Sequence, residues 1–476
     1  MNNKTQQYRI EKDSLGEVRV PVGAYYGAQT VRALQNFPIS GIKQHPIFTK
    51  SMIYVKKAAA KINNELGCLD DEKSSAIINA ADRIISGEFQ DQFVVDVYQA
   101  GAGTSCNMNI NEVIANIAIE NLGGQKGDYS IVHPNDHVNF GQSTNDVIPT
   151  AMRISALFLL TDLLPVVDEL ANTFDKKAKE FDKIIKSGRT HLQDAAPVRF
   201  GQEFSGYAAA VVKASGNIKK ASDTLKELGI GGTAVGTGLN THPDYAKKIV
   251  IELRKITDLD VRSASNMFEA MQSNASVVEV SSSIKVLAIE LIRIANDLRL
   301  LSSGPKTGFA EITLPPVQPG SSIMPGKVNP VMAEMLNMVC FSILGNDLTV
   351  TMASQAGQFE LNVMMPVMQY KLLDSISILT NSLKVFTDKC VKGILVNEDR
   401  CYEYAINSMA IVTALNPYIG YSKAAEIAKE SLVTGKPIKE IVLEKNLMSE
   451  ERLDKLLSPI SMTKPGFIKT NKETDS

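Results

Sequence analysis

Apolar residues at Val280, Ile284, Leu287, Leu291, Ile294 and Leu298 recur at steps of three and four, the spacing of one buried helical stripe. Around them, residues 244–303 form a run of 60 with neither Gly nor Pro, the residues that most readily end helices. The pattern predicts one long helix, stopped by Gly304-Pro305 just past its end. Similar periodicity predicts helices over residues 151–186, with Pro165 as a candidate kink, and over 197–228, 330–356 and 366–392. Long helices in such succession make a bundle, so the predicted fold class is mainly α. Helices of about 30 residues are well beyond the usual length and bury their stripes against other subunits as well, which predicts an obligate oligomer.

The flanks differ. Ahead of Gln142 the chain mixes short apolar runs with turns such as Gly123-Gly124 and one helix predicted over residues 111–122. Beyond residue 395 the segments shorten, broken at Asn416-Pro417 and Gly435-Lys436-Pro437, and grow more charged toward residues 469–476, which have the composition of a disordered tail. These shifts predict an N-terminal domain (1–141), a central long-helix bundle (142–395) and a small helical C-terminal domain (396–476).

Composition narrows the partners. The 476 residues carry 50 Lys and Arg against 52 Asp and Glu, a net charge of -2, without the basic excess that phosphate-backbone binding calls for. Five scattered cysteines with no CxxC pair fit buried thiols in a reducing compartment. No apolar segment opens the chain and no 18 consecutive apolar residues occur, the marks of export or of a spanning helix. The expectation is a cytoplasmic protein with no nucleic-acid and no membrane partner.

Two motif-like strings are set aside. Gly229-Ile230-Gly231-Gly232-Thr233-Ala234 matches the dinucleotide fingerprint in form but follows a helical segment instead of a strand, so it reads as a helix-ending turn. His133 and His137 stand four apart, yet Pro134 prevents helical presentation to a metal and no third ligand is evident. Three polar strips, Thr104-Ser105-Cys106-Asn107, Ser143-Thr144-Asn145-Asp146 and Thr190-His191-Leu192-Gln193, each fall just ahead of a predicted helix, where free N–H groups and the positive helix end favour carboxylates. Any one strip reads as an ordinary cap; three together point to a site. The deciding segment is Gly320-Ser321-Ser322-Ile323-Met324-Pro325-Gly326-Lys327-Val328-Asn329-Pro330. A plain linker has no reason to place paired Ser, a Lys and an Asn between hinges. A Ser hydroxyl acts as a base only when desolvated and ringed by N–H donors and a cation, which Lys327 and the loop amides can supply.

This string resembles the signature of the aspartase/fumarase superfamily. The resemblance runs from about residue 9 to 458, through Gly101-Ala102-Gly103-Thr104-Ser105, Gln142-Ser143-Thr144-Asn145-Asp146 and Gly188-Arg189-Thr190-His191-Leu192-Gln193-Asp194. It implies reversible elimination of ammonia, water or a larger amine from a succinyl skeleton, usually releasing fumarate, by homotetramers with a core of about 20 helices. The segment Asp91-Gln92-Phe93-Val94-Val95-Asp96, with Ser105, Thr144 and Gln358, is similar to the branch that removes ammonia from L-aspartate. Val132-His133-Pro134-Asn135-Asp136 is similar to the fumarate hydratases; Met365 departs from both, and Ala100 replaces a Gly common in the first branch. The implied reaction is L-aspartate to fumarate and ammonia, with L-malate to fumarate and water as the alternative. A non-catalytic structural protein on the same scaffold is a third reading, against which intact Thr104, Ser321, Lys327 and Asn329 argue.

The same resemblance implies roles. Ser321 removes the proton beside the β-carboxylate, and the resulting aci-carboxylate must be stabilised as it forms. Thr104, Ser143, Thr144 and Ser322 hold that carboxylate, Lys327 and Asn329 hold the α-carboxylate, and Asn145, Thr190 and His191 surround the amino group. In the hydratases the residue matching His191 pairs with the one matching Glu334. No metal and no organic cofactor is implied. Each site is expected to draw on three chains: even about 40 continuous helical residues within 244–303 would span about 60 Å, too far for both ends to meet one small substrate within a subunit.

Overall fold

The structure, a computed structural model, describes residues 7–466; the tail expected at 469–476 lies outside the described residues. A hairpin of β1 (Tyr8–Asp13) and β2 (Gly16–Pro21) leads into α1 (Ala28–Asn36), α2 (Pro46–Glu65), α3 (Asp71–Ile85) and α4 (Thr104–Asn121). The long α5 (Thr144–Glu180) follows, then a hairpin of β3 (Ile185–Thr190) and β4 (Gln193–Arg199), and α6 (Phe200–Thr224). Next come β5 (Glu227–Leu228), α7 (Tyr245–Thr257), β6 (Arg262–Ser263), α8 (Met267–Gln272), α9 (Ala275–Leu301) and β7 (Ile312–Thr313). The chain closes with α10 (Val331–Gln355), α11 (Met365–Lys389), β8 (Leu395–Val396), α12 (Glu398–Asn407), α13 (Asn416–Ile419), α14 (Tyr421–Thr434), α15 (Ile438–Glu444) and α16 (Glu450–Leu456).

Two compact units result. One comprises the chain up to Pro165 with Ala214–Ala288 and Val339–Thr380; the other comprises Val166–Lys213, Ile289–Met338 and the chain from Asn381 on. In the first, α2 packs on α3, α4 and α7. Pro46 suits its first turn, where the ring of His45 accepts the Ile47 N–H, and Phe48, Met52, Ile53 and Val55 are buried. In the second unit the β3–β4 hairpin packs on α12, Phe174, Phe181, Phe200, Phe204 and Tyr207 stack edge to face, and Leu415, Ile441, Leu453 and Leu456 build a core among the C-terminal helices.

The stripe from Val280 to Leu298 lies on α9 and every member is fully buried, as the periodicity predicts. The helices predicted at 330–356 and 366–392 match α10 and α11 within a few residues, and α5 passes through Pro165 without ending. The single helix predicted over 244–303 is wrong. The chain breaks after α7 at Asp258, which takes a left-handed conformation with φ of 56°. It then runs extended to pair Arg262 and Ser263 in parallel with Glu227 and Leu228, and restarts at Asn266, whose side chain accepts from Phe268 N–H and Glu269 N–H. Asp and Asn punctuate by bonding their own backbone and tolerating left-handed geometry, so the absence of Gly and Pro did not guarantee a helix. With 27 residues α9 is about 40 Å long, and the longest helix, α5 with 37, is about 55 Å.

Cys106, Cys340, Cys390 and Cys401 are buried and Cys68 partly so, all with free thiols. Burial pushes the four buried thiols up to about 12, which keeps them protonated and unreactive.

Candidate active site

In the first unit, Thr104 opens α4 after a tight approach. Ala102 and Gly103 are left-handed, with φ of 62° and 94°, and a Cβ on Gly103 would lie 2.9 Å from Ile148 Cδ1, so the glycine is required by space as well as by backbone. Ser143 and Asp146 cap the start of α5 reciprocally: Asn145 N–H donates to Ser143 Oγ at 3.2 Å and Ser143 N–H to Asp146 Oδ1 at 2.9 Å. Two of the strips therefore sit at helix starts as the sequence predicts, although α4 begins seven residues earlier than residue 111.

A buried polar layer joins these two strips. Asn107 Nδ2, one turn along α4, donates to Thr144 Oγ1 at 3.3 Å and to Asn139 Oδ1 at 3.2 Å. Lys56 Nζ donates to Asn139 Oδ1 at 2.8 Å and Gln142 Oε1 at 3.1 Å. Asp146 Oδ2 accepts from Gly231 N–H and Thr233 N–H, both at 3.0 Å, so the anion held by the glycine-rich turn is the chain's own carboxylate. That turn follows β5 and not a helix running to residue 228, because α6 already ends at Thr224. Asn145 Nδ2 reaches Ala234 O at 2.8 Å. Burial pushes Lys56 down to about 7, opposed by the Asp146 charge, and pushes Asp146 up to about 6 against its three amide donors. Lys56 is the residue sequence reasoning missed. Its signal was present: a lysine three and four residues from Ile53, Met52 and Ala60, inside the apolar face of α2.

The second unit carries the other candidates. Thr190 and His191 lie not ahead of a helix but at the tip of the β3–β4 hairpin. His191 and Leu192 both take positive φ, 55° and 59°, as in a type I′ turn, and no Asn-Gly pair marks the turn in the sequence. The hairpin carries an irregularity between Ser187 and Gly188, facing Pro197, and a Cβ on Gly188 would lie 2.5 Å from Ala196 O. A proline in a strand is tolerated at such a bulge, which is why residue 197 belongs to β4 and α6 starts at Phe200.

The loop from Gly320 closes on itself. Gly320 N–H donates to Lys327 O at 2.8 Å and Asn329 Nδ2 to Gly320 O at 2.8 Å, and a Cβ on Gly320 would lie 2.6 Å from Lys327 O. Ser321 Oγ accepts from Ile323 N–H at 3.2 Å and Met324 N–H at 3.0 Å, the donors that stabilise charge on a hydroxyl oxygen. Ser321 is half-buried in the single chain, while Ser322 is exposed and Ile323 is 84% exposed. Lys327 and Asn329 line a cleft of about 1010 Å³ with Arg299, Ser302, Ser303 and Asn397. Glu334 is half-buried in the first turn of α10. Among the described residues, no hydrogen bond or ion pair joins Thr190 or His191 to this loop or to Glu334.

Contrary to the expectation from sequence, Pro134 does not prevent helix here: Pro134–Val138 form one helical turn with the proline at its start, where it is tolerated. The rings stitch this turn, His133 Nδ1 accepting from Asn135 N–H and Asp136 N–H and His137 Nδ1 from His133 N–H.

A family model described as Lyase matches residues 16–345, and one described as Fumarase C C-terminus matches 411–464. The chain is 51% identical over 459 residues to an aspartate ammonia-lyase of a Bacillus species, covering 96% of this chain and 98% of that one. It is 50% identical over 465 residues to a class II fumarate hydratase of Halobacterium salinarum, covering 98% and 99%. A solved structure of a Brucella melitensis protein described as fumarate lyase:delta crystallin, bound to cobalt, matches with a TM-score of 0.93 at 45% identity, covering 96% of this chain and 100% of that one. Together with the capped helix starts and the closed loop around Ser321, these similarities carry one conclusion: the chain belongs to the lyase family, within the aspartase/fumarase superfamily.

Proposed function

We propose that the protein reversibly eliminates ammonia from L-aspartate to give fumarate. The observation that carries the mechanism is the Ser321 hydroxyl, which receives two amide N–H groups beside the cleft of Lys327 and Asn329. In this reading Ser321 Oγ, as the alkoxide, takes the proton from the carbon next to the β-carboxylate. The electron pair passes into that carboxylate, and hydrogen bonds from Thr104, Ser143, Thr144 and Ser322 strengthen as the charge grows. Lys327 and Asn329 hold the α-carboxylate. Collapse of the aci-carboxylate then expels the amine, which Asn145, Thr190 and His191 surround, as ammonia.

The relative from the Bacillus species bears the name of this activity, and Ser105, Thr144 and Gln358 favour it. The hydratase reading keeps two supports: a relative 50% identical over 465 residues bears that name, and His191 and Glu334 are both retained. Fumarate incubated with ammonium, and separately alone, decides between them by product. Aspartate in the first tube with no malate in the second is the expected outcome; malate in both and no aspartate selects the hydratase. Silence in both tubes selects the non-catalytic scaffold.

The proposed assembly is a cytoplasmic homotetramer with sites drawn from three chains, built from an N-terminal domain to residue 141, a helical bundle to 395 and a C-terminal domain. Its support is α10, which leaves the apolar side chains of Met338, Phe341, Leu348 and Met352 between 54% and 64% exposed in one chain. Helices α5 and α10 have the length and apolarity of spanning helices, but 72% of the apolar window of α5 is buried within the fold, and the stripe on α10 suits a second copy.

A further inference from the structure

The hairpin that presents Thr190 and His191 is clamped from beneath. Arg189, the residue just before the tip, places Nη1 2.8 Å from Glu311 Oε2, and the Glu311 side chain is fully buried. The Arg189 guanidinium lies 4.5 Å from the ring centre of Phe309 and 5.6 Å from that of Tyr404. Lys186, lower on the same strand, is 2.6 Å from Glu203 and 3.9 Å from Glu311. The backbone of Glu311 is itself fixed, its N–H donating to Leu301 O and its carbonyl accepting from Asn397 N–H, both at 2.9 Å.

We infer that Arg189 and Glu311 are positioning residues for the reaction, holding the Thr190–His191 strip in register from just behind the tip of its hairpin. A two-stranded ladder alone would leave the tip free to rock about the irregularity at Ser187 and Gly188, since an isolated hairpin is marginally stable. The clamp lies between that irregularity and the tip, where it removes the freedom. Burying a carboxylate is costly even when it is paired, and Glu311 Oε1 has no hydrogen-bond partner among the described residues. Stability of the fold would be served as well by an apolar pair; a flat, forked cation between two rings adds direction. The segment has a second consequence. Ala310 and Ile312, on either side of Glu311, line the cleft that holds Lys327 and Asn329, so one ion pair references both the hairpin and the cleft to the same short backbone.

This inference rests on the assignment of Thr190 and His191 to the amino-group end of the substrate. The test is kinetic, on the assembled enzyme with L-aspartate, or with L-malate if wild type uses that substrate. Arg189→Met should lower kcat per folded chain about ten- to a hundredfold, the cost of misplacing a reacting group by about 1 Å. KM should stay within about threefold, because the carboxylate contacts are elsewhere. Glu311→Gln should lower kcat similarly, and the double variant no further than the worse single, as for two members of one unit. Arg189→Lys should recover only part of the loss. Hydrogen exchange in residues 188–194 should quicken in Arg189→Met whether or not a substrate is turned over. Wild-type kcat per folded chain with unchanged exchange, a loss confined to KM, or losses that multiply in the double variant overturn the inference. If Arg189→Met does not fold, full wild-type turnover in Arg189→Lys overturns it. An active wild type with an undisturbed Arg189→Met sinks only this inference, whereas a wild type inert toward both substrates sinks the site assignment instead.

Discussion

The two regions proposed to face the substrate's carboxylates are held in opposite ways. Around Thr104 and Ser143 the turns rest on buried side chains of the same compact unit: Asn107 on Thr144, Lys56 on Asn139 and Gln142, Asp146 on the Gly231 turn. The loop bearing Ser321 is held by bonds within itself and by its last carbonyls accepting from the first turn of α10, and its outer residues stand in solvent. Buried polar networks are high-stakes, since every desolvated group must find a partner, and once satisfied they fix geometry before any ligand arrives. An exposed loop takes its working surroundings from whatever covers it. The first region is thus tied together within one chain through Asn107 Nδ2, Lys56 and Asp146, while the proposed base has its amide donors locally and, in the proposed assembly, takes its dry environment from neighbouring chains.

The contrast breaks first at the base. Ser321→Ala should cut turnover at least about a hundredfold with substrate affinity nearly intact, because the hydroxyl acts only during proton transfer. Steady-state rates on aspartate check it, and near-normal turnover would remove Ser321 from the mechanism. Lys327→Ala should act on the ground state, raising KM roughly tenfold or more, the worth of a charge-assisted hydrogen bond. An unchanged KM would mean that Lys327 faces only solvent in the assembled enzyme.

A smaller effect sharpens the dependence on assembly. Inactive Ser321→Ala and Thr190→Ala proteins, unfolded together and refolded as hybrids, should regain about a quarter of wild-type activity if the two strips come from different chains mixed at random in a symmetric oligomer. Hybrids verified by mass that stay inactive would place both strips on one chain.

The smallest effect probes the internally tied side through pH. Burial holds Lys56 at about 7, below its ordinary 10.5, so between pH 7 and 10 the unfolded chain binds the proton more than the folded one. Stability from this residue therefore rises with pH across that window, by up to about 1.4 kcal/mol per pH unit. Asp146, raised from 3.8 to about 6, acts below it: its unfavourable contribution is relieved as pH falls from 6 toward 4. Lys56→Met should flatten the rise in unfolding midpoint between pH 7 and 9 relative to wild type. An identical rise in the variant would mean that Lys56 keeps its ordinary pKa.

Much of the molecule was legible in the order of its residues. The stripe from Val280 to Leu298, the helices α10 and α11, and the placement of Thr104 and Ser143 at helix starts all follow from local rules: a 3.6-residue period, capping chemistry and Gly-Pro stops act over a few neighbours, so a string of residues contains them. The Ser321 loop was legible for the same reason, because its Gly320, Lys327 and Asn329 bond one another within eleven residues. The break in residues 244–303, the β3–β4 hairpin and the buried Lys56 were decided elsewhere. Residues 262 and 263 leave helix to pair with Glu227 and Leu228. Arg189, just behind the hairpin tip that carries Thr190, meets Glu311, 122 positions away. Lys56 is buried because Asn139 and Gln142, more than 80 positions on, accept its protons. Each is a long-range pairing whose energy appears only when distant segments meet, and it overrides a local preference worth less than about 1 kcal/mol per residue.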